Sequence, residues 1–260
     1  MPDGEGVGRL LTKRDIPADM SDRLIVALDR TSVAEAWDIV RKLDGVVSFF
    51  KIGLWLQFAE GVDELISFLT KDGKRLFLDA KMYDVPATVG QAVATAARRG
   101  ASFVTVHGDE EIIKAAVQAK AGSDLKIFAV TVLTSLDDNA LKGMGYAMPA
   151  KDLVLLRARN AVQCQCDGII ASADDDPDRI RMLADGAGLL IATPGIRAAG
   201  SHSQDQKRIA TPREAILNGA DYLVVGRPII NEADPRQAAL NIIAEMERGG
   251  QERKAMAEVK

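Results

Sequence analysis

Three charged side chains crowd the end of one apolar run. In "LFLDAKMYDVPATV", Asp79, Lys81 and Asp84 fall within six residues, and Pro86 follows at once. Side chains alternate along a strand, so Asp79 and Lys81 share one side of it. Two more charges close other apolar runs: Asp29 after "RLIVAL" and Lys51 in "VVSFFKIG". A half-buried charge must be paired or used. Two lysines alternating with aspartates meet that demand, because a neighbouring carboxylate favours the charged form of a lysine. A charged lysine is a poor Schiff-base nucleophile, which must be neutral. It is a good donor to a strong base, so the pattern predicts a site that protonates a carbanion. The plainer reading of Asp79 and Lys81 is a structural ion pair at a strand end.

A second group suits an anion. "VVGRPI" sets the backbone of Gly226 beside Arg227, and "TPGIR" sets Pro194 and Gly195 near Arg197. A guanidinium matches phosphate geometry, and glycine lets the backbone approach it. A rim arginine paired with a surface acid is the alternative. Thr134 and Ser135 end a further apolar run. His107 is as readily a structural histidine as a pocket residue. His202 sits in a polar loop, and Trp37 and Trp55 read as packing residues. "GMG" at 143–145 lacks the strand-to-helix setting of a dinucleotide fingerprint. Asp174, Asp175 and Asp176 before Pro177 read as a helix start.

These residues need a scaffold that gathers strand ends. Eight short apolar runs, at 23–29, 46–53, 74–81, 101–108, 125–134, 167–172, 188–195 and 221–228, alternate with amphipathic stretches. Runs without polar alternation suggest parallel strands buried on both faces. Eight such units in 260 residues predict a single-domain α/β fold, a (β/α)8 TIM barrel. A doubly wound sheet is the runner-up. In barrels the exits of the strands form the active site, and the charges above lie at exits. Residues 1–22 read as a polar arm, 23–248 as the barrel and 249–260 as a charged tail. "RRGA" and "LNGA" look like helix ends with glycine just beyond. The long stretch between the fifth and sixth runs predicts a small extra helix. The polar loop 197–212 reads either as a closing lid or as a passive connection.

Composition narrows the class. The net charge of −4 suggests neither nucleic acid nor membrane surface as a partner. No run of eighteen apolar residues is present, and the N-terminus lacks a signal-peptide core. Two cysteines, Cys164 and Cys166, and two histidines make a four-ligand zinc site improbable and point to a reducing cytoplasm.

The strand-three segment "LDAKMYDVPATV" resembles the signature of the orotidine 5′-phosphate decarboxylase family, and "VALD", "FFKIG", "TVLTS", "TPGIR", "DQKR" and "VVGRPI" follow that family's order. The match runs from about Leu24 to Ile230 and is most similar to the monofunctional bacterial type. The loop text before "DQKR" departs from the commoner pattern. The resemblance implies conversion of orotidine 5′-monophosphate to uridine 5′-monophosphate by a cytoplasmic homodimer, with sites shared across the interface and no metal or organic cofactor. It implies Lys81 as proton donor to pyrimidine C6, with Asp79 beside the substrate carboxylate. Lys51 and Asp29 complete the charge network and hold ribose hydroxyls. Asp84 and Thr88 reach in from the partner subunit. Thr134 and Ser135 lie by the pyrimidine, Pro194 lies in the binding set, and Arg197, Gln206, Gly226 and Arg227 hold the phosphate end. Two rivals stand: a magnesium-dependent enediolate enzyme with the same Asp-x-Lys-x-x-Asp core, and a non-catalytic sensor of a phosphate ligand.

Overall fold

The eight apolar runs become eight parallel strands that close into a barrel in chain order. The computed structural model describes residues 14–184, 186–197 and 210–258. The strands are β1 (Leu24–Ala27), β2 (Phe49–Gly53), β3 (Arg75–Met82), β4 (Phe103–His107), β5 (Lys126–Val130), β6 (Gly168–Ile170), β7 (Leu190–Thr193) and β8 (Tyr222–Val225). The helices outside them are α1 (Val33–Lys42), α2 (Val62–Lys71), α3 (Pro86–Arg98), α4 (Glu110–Ala119), α5 (Asp138–Gly143), α6 (Ala150–Gln163), α7 (Pro177–Leu183), α8 (Pro212–Leu217), α9 (Arg227–Ile230) and α10 (Pro235–Glu258). The small α5 is the extra helix expected between the fifth and sixth strands.

Local sequence explains the boundaries. Pro86, Pro177 and Pro212 open α3, α7 and α8, where a missing N–H costs nothing. Asp176 caps α7 through the Arg179 amide, as the acidic cluster suggested, and Thr211 with Glu214 forms a capping box on α8. Gly100 and Gly219 follow α3 and α8 with φ of +77° and +101°, the left-handed turn that glycine takes freely. Gly249 and Gly250, by contrast, lie inside α10, which runs on to Glu258. A Cβ at Gly249 would stand 2.7 Å from the Arg213 carbonyl, so the glycine lets α10 lie close on α8.

Strand alternation sorts the core into two layers. Leu24, Val26, Leu76, Val104 and Ile127 point out to the helices. Ile25, Phe49, Phe77, Phe103, Phe128 and Tyr222 point inward and fill the barrel. Phe103 sits at their centre, with ring centroids 4.4 Å from Phe128, 4.8 Å from Phe49 and 5.1 Å from Tyr222. Gly168 makes room for this slab, since a Cβ there would meet the Phe128 ring at 2.6 Å.

The barrel's lower end is tied by charge. Asp221 is buried and accepts from Arg14 at 2.9 Å, from the Ile191 amide at 2.9 Å and from Arg181. Arg23 donates to the Asp221 carbonyl at 2.6 Å, and Arg181 to the Gly219 carbonyl at 2.7 Å. Ile16, on the described part of the N-terminal segment, packs beneath the inner layer. Among the described residues no helix is long and apolar enough to cross a membrane.

Asp221→Ala removes the buried carboxylate partner of Arg181 and leaves it only the half-exposed Asp178 and two backbone carbonyls. The expected cost is about 3 kcal/mol, seen as a lower urea midpoint with an unchanged slope. An unchanged midpoint would show that the network contributes nothing.

Candidate active site

Two residues beyond the aromatic slab, the barrel wall changes character on one side. Phe49 is succeeded inward by Lys51, Phe77 by Asp79 and Phe103 by Thr105, while Tyr222 is succeeded by apolar Val224. Lys51 Nζ lies 3.2 Å from Asp29 Oδ1 and 3.2 Å from Asp79 Oδ2. Lys81 Nζ lies 2.8 and 2.9 Å from the two Asp79 oxygens. Asp29, Lys51, Asp79 and Lys81 thus form one alternating chain across three adjacent strand exits. Lys51 and Asp79 are buried, whereas the Lys81 side chain keeps 39% of its surface exposed. Glycine at 53 leaves room for this pair, since a Cβ would stand 2.8 Å from Asp29 Oδ1 and 3.3 Å from Lys51 Nζ, and one of them would have to shift.

Burial and charge pull against each other in the middle of the chain. Burial alone would raise the Asp79 carboxyl. The Lys51 and Lys81 ammonium groups, with hydrogen bonds from Lys81 and Thr105, outweigh it and hold Asp79 below the usual carboxylate range. Burial alone would lower Lys51, but Asp79 and Asp29 raise it above the usual lysine value. Lys51 is therefore a fixed cation at neutral pH.

Simple alternation is only part of how Lys81 reaches Asp79. Leu78 pairs with Val104 and Met82 with Val106, so residues 79–81 bulge opposite one residue of β4. Lys81 sits at φ +47°, left-handed backbone that a non-glycine residue seldom adopts.

The chain forms one side of a cavity of about 410 Å³ at the strand exits. Val130, Val132, Leu133, Thr134 and Ile170 give it an apolar flank. Pro194, Gly195, Arg197, Gly226 and Arg227 form a further wall from the exits of β7 and β8. The apolar run at 125–134 outlasts its strand: β5 ends at Val130, and Val132 and Leu133 are apolar because they line the cavity. Arg197 N–H donates to the Ala210 carbonyl at 3.0 Å, drawing together the two ends of the loop expected as a lid. Gln206 and His202 fall outside the described residues.

Other expected residues lie elsewhere. Asp84 and Thr88 are exposed and do not line the cavity of their own chain. Asp84 instead accepts the Val85 amide at 2.6 Å. Ser135 follows Thr134 but does not line the cavity. His107 is half-buried against the Tyr83 ring, 4.8 Å between centroids, and burial lowers its pKa. Trp37 packs on Phe68 as expected. Trp55 does not pack as expected: it is 56% exposed, lines the cavity mouth and donates to the Arg30 carbonyl at 2.7 Å. Sequence reading also passed over Thr105, a polar residue in the inward register of "FVTVHG", and that register was the available signal. Among the described residues no group of three or more His, Cys, Asp or Glu side chains is placed to hold a metal ion.

Linkage gives the network a pH signature. Asp79 is depressed on folding, so it contributes stability above about pH 4 that is lost as pH falls through its folded value. Lys51 is raised, so its contribution persists below about pH 10.4 and fades above its folded value. For Lys51→Met, Asp79 is expected to titrate higher by carbon-13 NMR. The stability gap to the parent is expected to widen as pH rises through about 4. A gap independent of pH would show that Lys51 does not hold Asp79.

The comparisons agree with this geometry. The family model for orotidine 5′-phosphate decarboxylase / HUMPS matches residues 22–242. A protein of Afipia carboxidovorans named orotidine 5′-phosphate decarboxylase is 48% identical over 230 residues, covering 88% of this chain and 97% of its own. One of the same name from Jannaschia sp. is 48% identical, covering 86% and 98%. A crystal structure of orotidine 5′-phosphate decarboxylase from Lactobacillus acidophilus superposes with a TM-score of 0.74 at 34% identity, covering 86% of this chain and 99% of that one. With the match spanning the whole barrel and every strand exit just described, the chain belongs to the orotidine 5′-phosphate decarboxylase / HUMPS family.

Proposed function

We propose that this chain decarboxylates orotidine 5′-monophosphate to uridine 5′-monophosphate in pyrimidine biosynthesis, directly and without cofactor, with Lys81 as proton donor. The observation that carries this reading is the Asp29, Lys51, Asp79, Lys81 chain facing a cavity whose further wall holds Arg197 and Arg227. Loss of carbon dioxide breaks the bond to C6 and leaves its electron pair in the plane of the ring, out of reach of the π system. A fixed cation must stabilise that pair, and of the two lysines in the network Lys81 has the more exposed side chain, 39% against 8% for Lys51. It gives a proton to C6 and recovers one from solvent. Asp79 and Lys51 hold it in place, and Lys51 with Asp29 takes ribose hydroxyls.

The remote wall grips phosphate. Arg197, Arg227 and the backbone at Gly226 suit its oxygens, with Gln206 assigned to the closing loop by the family pattern. Binding energy gathered there can drive closure over the ring. Thr134 and Ser135 belong to the pyrimidine side, and Pro194 to the binding set. The magnesium-dependent rival is disfavoured by the chemistry of the donors: Asp29 and Asp79 are already engaged by lysine ammonium groups.

The working unit is a homodimer with composite sites. Asp84 and Thr88 are exposed and do not line the cavity of their own chain, and Phe58, in the segment after β2, and Tyr83 and Val85, in the segment after β3, are exposed as well. Large exposed apolar side chains on these segments suit a subunit contact. The cytoplasm is the compartment, in keeping with free thiols at Cys164 and Cys166.

An ultraviolet assay tests the activity: orotidine 5′-monophosphate should disappear without added metal and in the presence of chelator. Lys81→Ala should slow turnover by more than about a thousandfold while the fold persists. A rate within about tenfold of the parent would remove Lys81 from the role.

Mixing two inactive variants tests the shared site. Lys81→Ala and Asp84→Ala place their defects in different halves of one composite site. After random subunit exchange, about a quarter of all sites should be intact, and activity should return. Inactive verified heterodimers would assign Asp84 to its own subunit.

A further inference from the structure

We propose that Thr105 is a positioning residue for Asp79 and Lys81, bracing the β3 bulge through a single hydroxyl. The inference rests on the function proposed above. Thr105 is fully buried and stands alone on β4 opposite residues 79–81. A bulge leaves ladder groups unpaired. Here the unpaired Lys81 amide donates to Thr105 Oγ1 at 2.9 Å. The Thr105 hydroxyl in turn donates to Asp79 Oδ1 at 2.9 Å.

The direction of both bonds is dictated. An ionised carboxylate only accepts and an amide only donates, so the one hydroxyl proton goes to Asp79 and a lone pair faces Lys81. Valine would fill the same volume and satisfy neither group. The left-handed backbone at Lys81 costs energy unless its surroundings over-determine it. Thr105 supplies that restraint, coupling the Lys81 backbone to the carboxylate that holds the Lys81 head. It joins the charged groups facing Asp79: Lys51 from β2, with Asp29 beyond it just past the end of β1, and Lys81 from β3 itself. His107, further along β4, faces Lys81.

A residue that only places the proton donor affects chemistry more than binding. Thr105→Val should lower kcat about tenfold to a hundredfold, with KM for orotidine 5′-monophosphate within about threefold of the parent. Because Asp79 loses a donor to its charged form, its carbon-13 titration and the acid limb of the kcat profile should both move to higher pH. Thr105→Ser, which keeps the hydroxyl, should recover most of the rate and the parent's Asp79 midpoint. The proposal is overturned if Thr105→Val leaves kcat and the Asp79 midpoint unchanged, or if serine is as impaired as valine. If the valine variant does not fold, Thr105→Ala replaces it, and equal Asp79 midpoints for alanine and serine overturn the proposal. A parent without turnover would sink the function reading, while the Asp79 midpoints would still decide the role of Thr105.

Discussion

A carboxylate taken out of water must be compensated on every side, and Asp79 is buried at the centre of this barrel's upper end. Its compensation comes from three strands: Lys51 on β2, Lys81 on β3 and Thr105 on β4. Each partner has a second obligation. Lys51 is also buried and needs Asp29 from β1. Lys81 needs its own amide satisfied, and Thr105 does that. Burying one charge therefore enlists four consecutive strands. Removing a member leaves a neighbour unpaired in low dielectric, where the penalty exceeds what the pair contributed.

The inner aromatic layer makes this economy possible. Phe49, Phe77, Phe103, Phe128 and Tyr222 close the barrel below the charges. Because inward positions recur every second residue, the first three of those rings fix Lys51, Asp79 and Thr105 one level higher. The floor is apolar and packed, so the polar atoms above it must satisfy one another or a ligand. Gly168 below and Gly53 above serve opposite ends of the same register, one admitting a ring and the other admitting an ion pair.

The cavity also has two charged walls on different strands. The charge chain stands on β1, β2 and β3, while Arg197 and Arg227 rise from the exits of β7 and β8. Barrel closure makes β8 a direct neighbour of β1, with Val26 paired to Val225. Gly226 thus lies against Ala27 and Asp29, which joins the two walls through backbone rather than through long side chains. Rigid strands beneath both walls set the distance between the charge network and the two arginines.

Much of this was legible in the chain. Buried parallel strands demand apolar runs on both faces, and eight such runs favour a barrel over a doubly wound sheet, while closure itself is seen only in the fold. Charges towards their exits are conspicuous among otherwise apolar neighbours, so Asp29, Lys51, Asp79 and Lys81 stand out as a set. Proline at helix starts and glycine at Gly100 and Gly219 follow from local backbone chemistry alone. Tertiary structure decided the rest. The pairing of Lys51 with both Asp29 and Asp79 depends on strand register. The bulge that gives Lys81 its φ of +47° depends on a slip between β3 and β4, which no spacing within β3 encodes. Thr105 is one threonine among several until β4 is laid against that slip. Asp84, three residues past Lys81 and two before α3 begins at Pro86, is exposed and outside the cavity lining. Local chemistry acts through the residues beside it in the chain, whereas register, bulge and exposure are set by residues that meet only once the barrel has closed.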